Sequence, residues 1–203
     1  MSFLKHSAQN GPIELWALVW LVLSTLIIEW DISFLLLRPW SLPGESLGFL
    51  WAPYTTYLSV DLSYGDLDDS FVMAHAMMSA LEVLIAVLAL MLYASKRYHV
   101  ATLLIFSTSL LTCAKTLLIL LLECISGFAH TGHTPLEMWL LVYFLPNFIW
   151  VVMPALVATH TARVLLKEPV STTQIVWPED DELPNHRVKR ELEIPVPPKF
   201  ANQ

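Results

Sequence analysis

Four apolar stretches divide the sequence, and each is long enough to cross a membrane. They run from about Ile13 to Leu37, from Phe71 to Tyr93, from Val100 to Leu122 and from Met138 to Leu166. A membrane-spanning helix needs about 20 mostly apolar residues, and a helix satisfies its own backbone hydrogen bonds within lipid. The pattern therefore predicts an all-α integral membrane protein with four transmembrane helices, the last of them kinked at Pro146 and Pro154.

Lysine and arginine near the ends of these stretches indicate how the chain crosses the membrane. With four helices, one side of the membrane receives Lys5, Lys96, Arg97, Arg163 and Lys167. The opposite side receives the segments 41–70 and 123–137, and Arg38 is its only lysine or arginine. Because short segments rich in lysine and arginine stay in the cytosol, this bias predicts that both termini are cytosolic.

Composition agrees with a membrane protein and limits the classes of partner. Hydrophobic residues make up 56% of the chain and charged residues only 14%, against about 25% charged residues in a typical soluble domain. Much of the net charge of −7 comes from acidic residues of one loop and of the tail, so no basic surface indicates nucleic-acid binding. Residues 168–203 are polar and rich in proline, which predicts a disordered cytosolic tail after a membrane domain at 1–167.

Polar residues inside the four stretches are the candidates for a functional site, because ionisable groups in lipid are costly and usually face a protein interior. On the first predicted helix, Thr25 and Glu29 lie one turn apart, whereas Asp31 is expected to point elsewhere. The other candidates are His75, Ser79 and Glu82 on the second helix, Lys115 on the third, and Asn147 and Trp150 on the fourth. We expect these residues to line one ligand cavity of the four-helix bundle, opening to the bilayer.

These residues allow both structural and chemical interpretations. A structural ion pair with Glu82 or Glu29 explains Lys115, and a hydrogen bond to a neighbouring helix explains Asn147. In the chemical interpretation, a buried carboxyl group donates or accepts a proton near neutral pH, and an indole face stabilises a carbocation or binds an ammonium ligand. Glu29 with Trp150 in a dry pocket therefore indicates proton-initiated rearrangement of a lipophilic substrate or binding of a lipophilic amine.

The fourth stretch also resembles a known family. Its segment FLPNFIWVVMPALV is similar to the emopamil-binding-protein family (the EXPERA domain), which includes sterol Δ8-Δ7 isomerase and the sigma-2 receptor. The shared pattern is Asn-x-x-Trp-x-x-x-Pro, formed here by Asn147, Trp150 and Pro154. The resemblance covers about residues 20–165. It includes the segment DSFVMAHAMMSA, the segment LILLLE ending at Glu123, then Gly127, Phe128 and His130, and the loop residues Trp51, Tyr54, Asp61 and Tyr64.

The resemblance implies roles for individual residues. Glu29, Asn147 and Trp150 occupy working positions of the sterol isomerase and become the predicted catalytic residues. Thr25 and Ala76 stand where the isomerase has a histidine and a second glutamate, and Ser79 stands where it has a threonine. Because two proton-handling groups are replaced, the resemblance implies a retained pocket with a changed reaction. The predicted substrate-binding residues are Thr25, His75, Ser79, Glu82, Lys115, Asp61, Tyr64 and Glu123.

Two hypotheses of function follow. In the first, the chain is an intramembrane isomerase or cyclase in which Glu29 transfers a proton during alkene isomerisation, cyclisation or epoxide opening. Its expected substrate is a terpenoid, polyketide or sterol-like molecule of the kind found in secondary metabolism. In the alternative, the chain is a non-catalytic sterol- or lipid-binding protein of the sigma-2 receptor type.

Both hypotheses place the chain in the same surroundings. Its expected partners are a hydrophobic small molecule or sterol and membrane lipid, and nucleic acid is not expected. Formation of a homodimer is left as an open alternative. Cys113 and Cys124 match no metal-binding spacing, and we expect no metal and no other cofactor. The family resemblance points to the endoplasmic reticulum membrane.

Overall fold

The computed structural model describes residues 12–167, and this part of the chain contains helices and turns but no strand. Its four long helices span Leu15–Leu36, Ser70–Ala94, Tyr98–Ile125 and Leu136–Lys167, and each is long and apolar enough to cross a membrane. These bounds confirm the four predicted helices, with differences of only a few residues at the ends. The predicted disordered tail at 168–203 and the cationic residue Lys5 lie outside the described residues.

Local interactions set where the long helices begin and end. Asp69 caps the second helix, because its side chain accepts a hydrogen bond from the backbone N–H of Val72 at 2.9 Å. The third helix is followed by Gly127 in the left-handed conformation, with φ of +71°, which commonly terminates a helix. In the fourth helix, the run Trp139–Phe144 is π-helical and comes just before Pro146, which has no N–H to donate.

Successive long helices are antiparallel neighbours: the first packs on the second, the second on the third and the third on the fourth. At one end of the bundle, the Tyr93 hydroxyl donates to the carbonyl of Ile13 at 3.3 Å, and the N–H of Glu14 donates to His160 Nε2 at 3.3 Å. We call this end the terminus side. At the other end, here called the loop side, the N–H of Leu62 donates to the carbonyl of His130 at 3.3 Å.

The two ends of the bundle have different cores. The terminus-side core consists largely of small and aliphatic residues, namely Ile13, Ala17, Leu21, Ala86, Ala89, Ile105 and Val157. Small residues allow helix backbones to approach each other closely. The loop-side core is richer in aromatic residues and consists of Phe34, Leu35, Trp51, Tyr54, Val72 and Ala76. Two of these, Trp51 and Tyr54, come from the long loop after the first helix, which therefore belongs to the folded structure.

Candidate functional site

A cavity of about 460 Å³ lies in the loop-side half of the bundle. All four long helices and the short helix Tyr54–Leu58 contribute residues to its wall. Much of the wall is apolar, and its titratable and polar side chains include Asp31, Tyr54, Tyr57, Tyr64, His75, Ser79, Lys115 and Asn147. The volume falls in the range of about 300–1,000 Å³ that is typical of small-molecule sites. We refer to this space as the large cavity.

Among the described residues, Asp31 is the one carboxylate that lines the large cavity. The hydroxyl groups of Tyr54 and Tyr64 both donate to it, the latter at 3.3 Å. Tyr54 is itself held by stacking on Phe34, with a ring-centroid distance of 4.3 Å. The two phenol donors fix the orientation of the carboxylate within the wall of the cavity.

The raised pKa values of the two tyrosines that contact Asp31 keep them protonated, so that both remain hydrogen-bond donors. Burial raises the pKa of Tyr64 well above that of a free phenol, and the neighbouring carboxylate of Asp31 adds to this. Burial and Asp31 raise the pKa of Tyr54 in the same way. Both phenols therefore keep their protons throughout the physiological pH range and stabilise the ionised form of the carboxyl group that they contact.

Arg38 fixes the part of the loop that carries Tyr64. Its side chain is buried, and Nη1 donates to the carbonyl oxygens of Tyr64 and Asp66, both at 2.8 Å. Its Nε donates to the carbonyl of Leu35 near the end of the first helix at 3.3 Å. Burial lowers the pKa of the guanidinium, and the carboxylate of Asp69 opposes that shift most strongly. Arg38 therefore links the first helix to the loop whose tyrosine contacts Asp31.

A buried ion pair forms another part of the wall. Lys115 Nζ lies 2.7 Å from Glu82 Oε2, and the two side chains are only 10% and 3% exposed. Lys115 also donates to Ser79 Oγ, and Thr112 donates to Glu82 Oε1. The interpretation of Lys115 as the partner of Glu82 is thus confirmed, and Glu29 is not its partner. Lys115 lines the large cavity, whereas Glu82 lines a separate pocket behind it.

His75, Asn147 and Trp150 line the large cavity, as their positions in the sequence predicted. His75 stacks on Phe71, with ring centroids 6.5 Å apart. Asn147 Nδ2 donates to the carbonyl of Tyr143 at 2.8 Å, so the amide binds its own helix and not a neighbouring one. Trp150 meets Trp20 edge to face at 5.4 Å, which joins the fourth helix to the first through side chains.

Glu29 does not line the large cavity, which corrects its predicted position as the central proton-transfer group. Its side chain is exposed on the outer surface of the bundle, although Thr25, one turn earlier, is buried. The buried face of the first helix passes through Ala17, Leu21 and Ser24 and continues to Ile28 and Asp31, with alternating spacings of four and three residues. That spacing carries the face to Asp31 and past Glu29.

Two predicted substrate-binding residues, Thr25 and Glu82, lie together in a different pocket. This pocket has a volume of only about 20 Å³, and its polar wall consists of Ser24, Thr25, Glu82, Thr108, Ser109 and Thr112. A space of this size holds about one water molecule. We call it the hydroxyl pocket. These two residues therefore line a different space from Asp31, and Ile28 and Thr112 contribute to the walls of both spaces.

Asp61 and Glu123, also predicted to bind substrate, line a third space of about 30 Å³ on the loop side. Glu123 accepts hydrogen bonds from the N–H groups of His130 and Thr131, at 3.1 and 2.8 Å, and so holds that loop. Its contact with His130 raises the pKa of the imidazole. Burial raises the pKa of Asp61, and hydrogen bonds from Ser63 oppose that shift. Neither carboxylate lines the large cavity, although Asp61 accepts a hydrogen bond at 3.4 Å from Tyr57, which does line it.

Sequence reasoning missed Asp31, Tyr57 and Arg38 as members or supports of the site, and Tyr54 had no assigned role. For Asp31 a signal was available, because the small and hydroxyl-bearing positions Ala17 and Ser24 follow the spacing that leads to it. Tyr64 was predicted from the family resemblance and lines the large cavity, but no pattern in the sequence indicated that Tyr54 and Tyr64 contact Asp31. Their contacts with Asp31 join positions 23 and 33 residues apart.

The large cavity combines one carboxylate, neutral phenol donors, an imidazole and an ammonium group with apolar and aromatic walls. Such a set can accept and donate protons and can stabilise charge that develops on a bound molecule. No group of three or more metal-ligating side chains occurs in the part of the chain that the structure describes. The chain matches no family model, no curated protein and no solved structure.

Proposed function

We propose that this chain is an intramembrane isomerase or cyclase that moves protons on a lipophilic substrate held in the large cavity. The observation that carries the proposal is Asp31, a carboxylate held by two tyrosine hydroxyls in a mostly apolar cavity. In this proposal Asp31 takes the role that the sequence had given to Glu29. His75, which lines the same cavity, is the second proton-handling group.

The substrate is defined by the rest of the wall. Ile27, Ile28, Ile119 and Val142 form apolar surface, and Trp30 and Trp150 contribute indole rings. These rings suit a substrate that develops positive charge or carries an extended hydrocarbon skeleton. The volume accommodates a molecule of terpenoid, polyketide or sterol-like size. We further propose that substrate enters from the bilayer between the first and fourth helices, whose contacts include the ring pairs Trp16–His160 and Trp20–Trp150.

The proposal keeps the reaction class implied by the resemblance to the emopamil-binding-protein family and changes the residue that performs it. We also propose a location in the endoplasmic reticulum membrane with both termini in the cytosol. The orientation is supported by the clustering of cations: Lys96 and Arg97 follow the second helix at the terminus side, and Arg163 lies in the last turns of the fourth. The endoplasmic reticulum location rests on the family resemblance.

The test compares Asp31→Asn with Glu29→Gln, a matched pair of carboxylates two residues apart on one helix. Each change keeps the shape of the side chain and removes its titratable group. Lipid-soluble molecules are extracted from microsomes containing the wild type, either variant or no protein, and are compared by mass spectrometry. We expect a product that depends on the wild type, is reduced about 100-fold or more by Asp31→Asn, and changes little in Glu29→Gln.

Size-exclusion chromatography of each detergent-purified variant controls for folding. Product that survives Asp31→Asn in folded protein would contradict the assignment of Asp31. Product lost in Glu29→Gln and retained in Asp31→Asn would restore the assignment that the sequence alone had favoured.

A second candidate function is non-catalytic binding of a sterol or other lipid. It is favoured by the engagement of Lys115 with Glu82 and Ser79, which leaves fewer free proton-handling groups in a mostly apolar cavity. In the same experiment, this function predicts a lipid that co-purifies with the wild type and with both variants, without any new product.

A further inference from the structure

The Glu82–Lys115 pair has a direction relative to the large cavity. The ammonium end lines that cavity, whereas the carboxylate end lines the hydroxyl pocket on the far side. Glu82 is almost completely buried and is held there by Thr112. The pair is therefore an oriented dipole in the wall, and its positive end faces the space where a ligand would lie.

Lys115 retains hydrogen-bonding capacity for a ligand. A lysine ammonium group has three N–H donors and no acceptor. Among the described residues, it donates to Ser79 Oγ and forms an ion pair with Glu82 Oε2, so these partners engage at most two donors. At least one donor therefore remains for a ligand, and Lys115 lines the large cavity. A charged donor in a water-poor site binds an oxygen atom more strongly as negative charge builds on that oxygen.

Asp31 lines the same cavity and interacts electrostatically with Lys115. One wall thus offers a proton acceptor held by Tyr54 and Tyr64, and another wall offers a cationic donor. This arrangement favours a substrate with an oxygen atom conjugated to the carbon that exchanges a proton. A pure hydrocarbon would use the apolar walls and would offer no hydrogen-bond acceptor to Lys115.

We propose that Lys115 is the oxyanion-binding residue of this cavity and that the substrate is a lipophilic ketone with a carbon–carbon double bond between its β and γ carbons. The proposal rests on the function proposed above and names its substrate class. In the first step, the Asp31 carboxylate removes a proton from the carbon next to the carbonyl group. The C–H bond breaks, an O–H bond forms on Asp31, and the electron pair moves through the carbon skeleton to the oxygen, which Lys115 stabilises.

In the second step, the proton returns from Asp31 to a different carbon of the conjugated system. The electron pair of the enolate forms the new C–H bond, the carbonyl group is restored, and Asp31 is again ionised. No atom is gained or lost overall, so an isomerisation of this kind consumes no cofactor or second substrate. The Glu82 carboxylate holds the Lys115 side chain in position throughout.

The experiment uses 2-naphthol, a hydrophobic phenol whose ionised form resembles a planar enolate and absorbs at longer wavelength than the neutral form. The full-length protein is placed in lipid nanodiscs at pH 7 and titrated with 2-naphthol, and empty nanodiscs provide the background. A phenol in water ionises near pH 10, so the free probe is almost entirely neutral. We expect the ionised fraction of the bound probe to be about 100-fold larger than that of the free probe, because a nearby cation favours the anion.

Variants assign the effect to a residue. Lys115→Met removes the cation, and the double variant Lys115→Met with Glu82→Gln does so without leaving a buried carboxylate unpaired. We expect the ionised fraction to fall at least 10-fold in both, and Lys115→Arg to restore much of it. Asp31→Asn is expected to keep the probe ionised while product formation is lost, so that failure of the oxyanion site and failure of the proposed reaction are separate results.

Several outcomes would overturn the proposal. One such outcome is a probe that remains neutral when bound to the wild type, and another is a probe that does not bind in the cavity. Alternatively, ionisation would persist in the double variant and disappear in His75→Gln, which would make the imidazole a base toward the probe and remove the role assigned to Lys115.

Discussion

The terminus-side and loop-side halves of the bundle are built from the same four helices but differ in how closely they are packed. On the terminus side, Ala17, Ala86 and Ala89 are buried and the helices meet with small residues between them. On the loop side, the aromatic residues Phe34 and Trp51 pack beside a cavity of about 460 Å³. The comparison shows that one half is close-packed, whereas the other keeps an internal space with titratable groups.

The difference follows from the size and chemistry of the residues at the helix interfaces. Small side chains let backbones approach until no space remains. Aromatic rings and long polar side chains hold the helices apart, and their polar atoms need partners once they are buried. The Glu82–Lys115 pair marks the boundary between the two halves, because one partner faces the large cavity and the other faces the hydroxyl pocket.

The largest effect on this comparison should come from breaking the pair at the boundary. We expect Lys115→Met or Glu82→Gln alone to lower the free energy of unfolding by about 3–5 kcal/mol, because each leaves a buried partner unpaired. The double variant should recover most of that loss. Unfolding is measured by SDS titration of the protein in mixed micelles. Losses that simply add in the double variant would contradict a coupled pair.

A smaller effect on stability should follow from releasing the loop that carries Tyr64 in the wall of the large cavity. Arg38→Met removes the charged donor to the carbonyls of Tyr64 and Asp66, and we expect a loss of about 3 kcal/mol. The exposed residue Arg163 provides the control, and Arg163→Met should change stability by less than about 0.5 kcal/mol. Equal effects of the two substitutions in the same SDS titration would show that Arg38 does not anchor the loop.

Enlarging one side chain in each half should reveal the difference in packing directly. Ala89 is completely buried in the terminus-side core, and Ala89→Leu should cost about 2 kcal/mol by overpacking. Val142 lines the large cavity, and Val142→Phe, which adds about as many carbon atoms, should be nearly neutral for stability while reducing the volume open to a ligand. Thermal unfolding in detergent compares the two. A similar loss at both positions would mean that the cavity is not available space.

The smallest effect concerns the loops and depends on pH. The Glu123 carboxylate raises the pKa of His130, so the folded state binds this proton more tightly than the unfolded state does. The resulting stability is fully present below the ordinary histidine pKa of about 6.5 and is lost as pH rises through the raised value. The melting temperature of the wild type should exceed that of His130→Gln at low pH, and the difference should shrink in alkaline buffer. A constant difference would rule out this contribution.

Part of the site could be predicted from the sequence because lipid makes polar residues conspicuous. His75, Lys115, Asn147 and Trp150 were singled out as unusual in apolar helices, and all four line the large cavity. Glu29 was predicted to line the cavity and Asp31 lines it instead, because of the geometry of one helix. Two residues correspond to a rotation of about 200°, so a small difference in the spacing of the buried face decides which carboxylate points inward.

The sequence by itself determined the number, length and boundaries of the membrane-spanning helices, because the thickness of the bilayer and the need to satisfy every backbone group leave few alternatives. Only the tertiary structure decided which polar groups share a space. Tyr54 and Tyr64 contact Asp31 because the long loop packs against the bundle. Arg38 holds the Tyr64 part of this loop through the backbone carbonyl of Tyr64. Such contacts join distant positions through packing, and no local pattern in the chain encodes them.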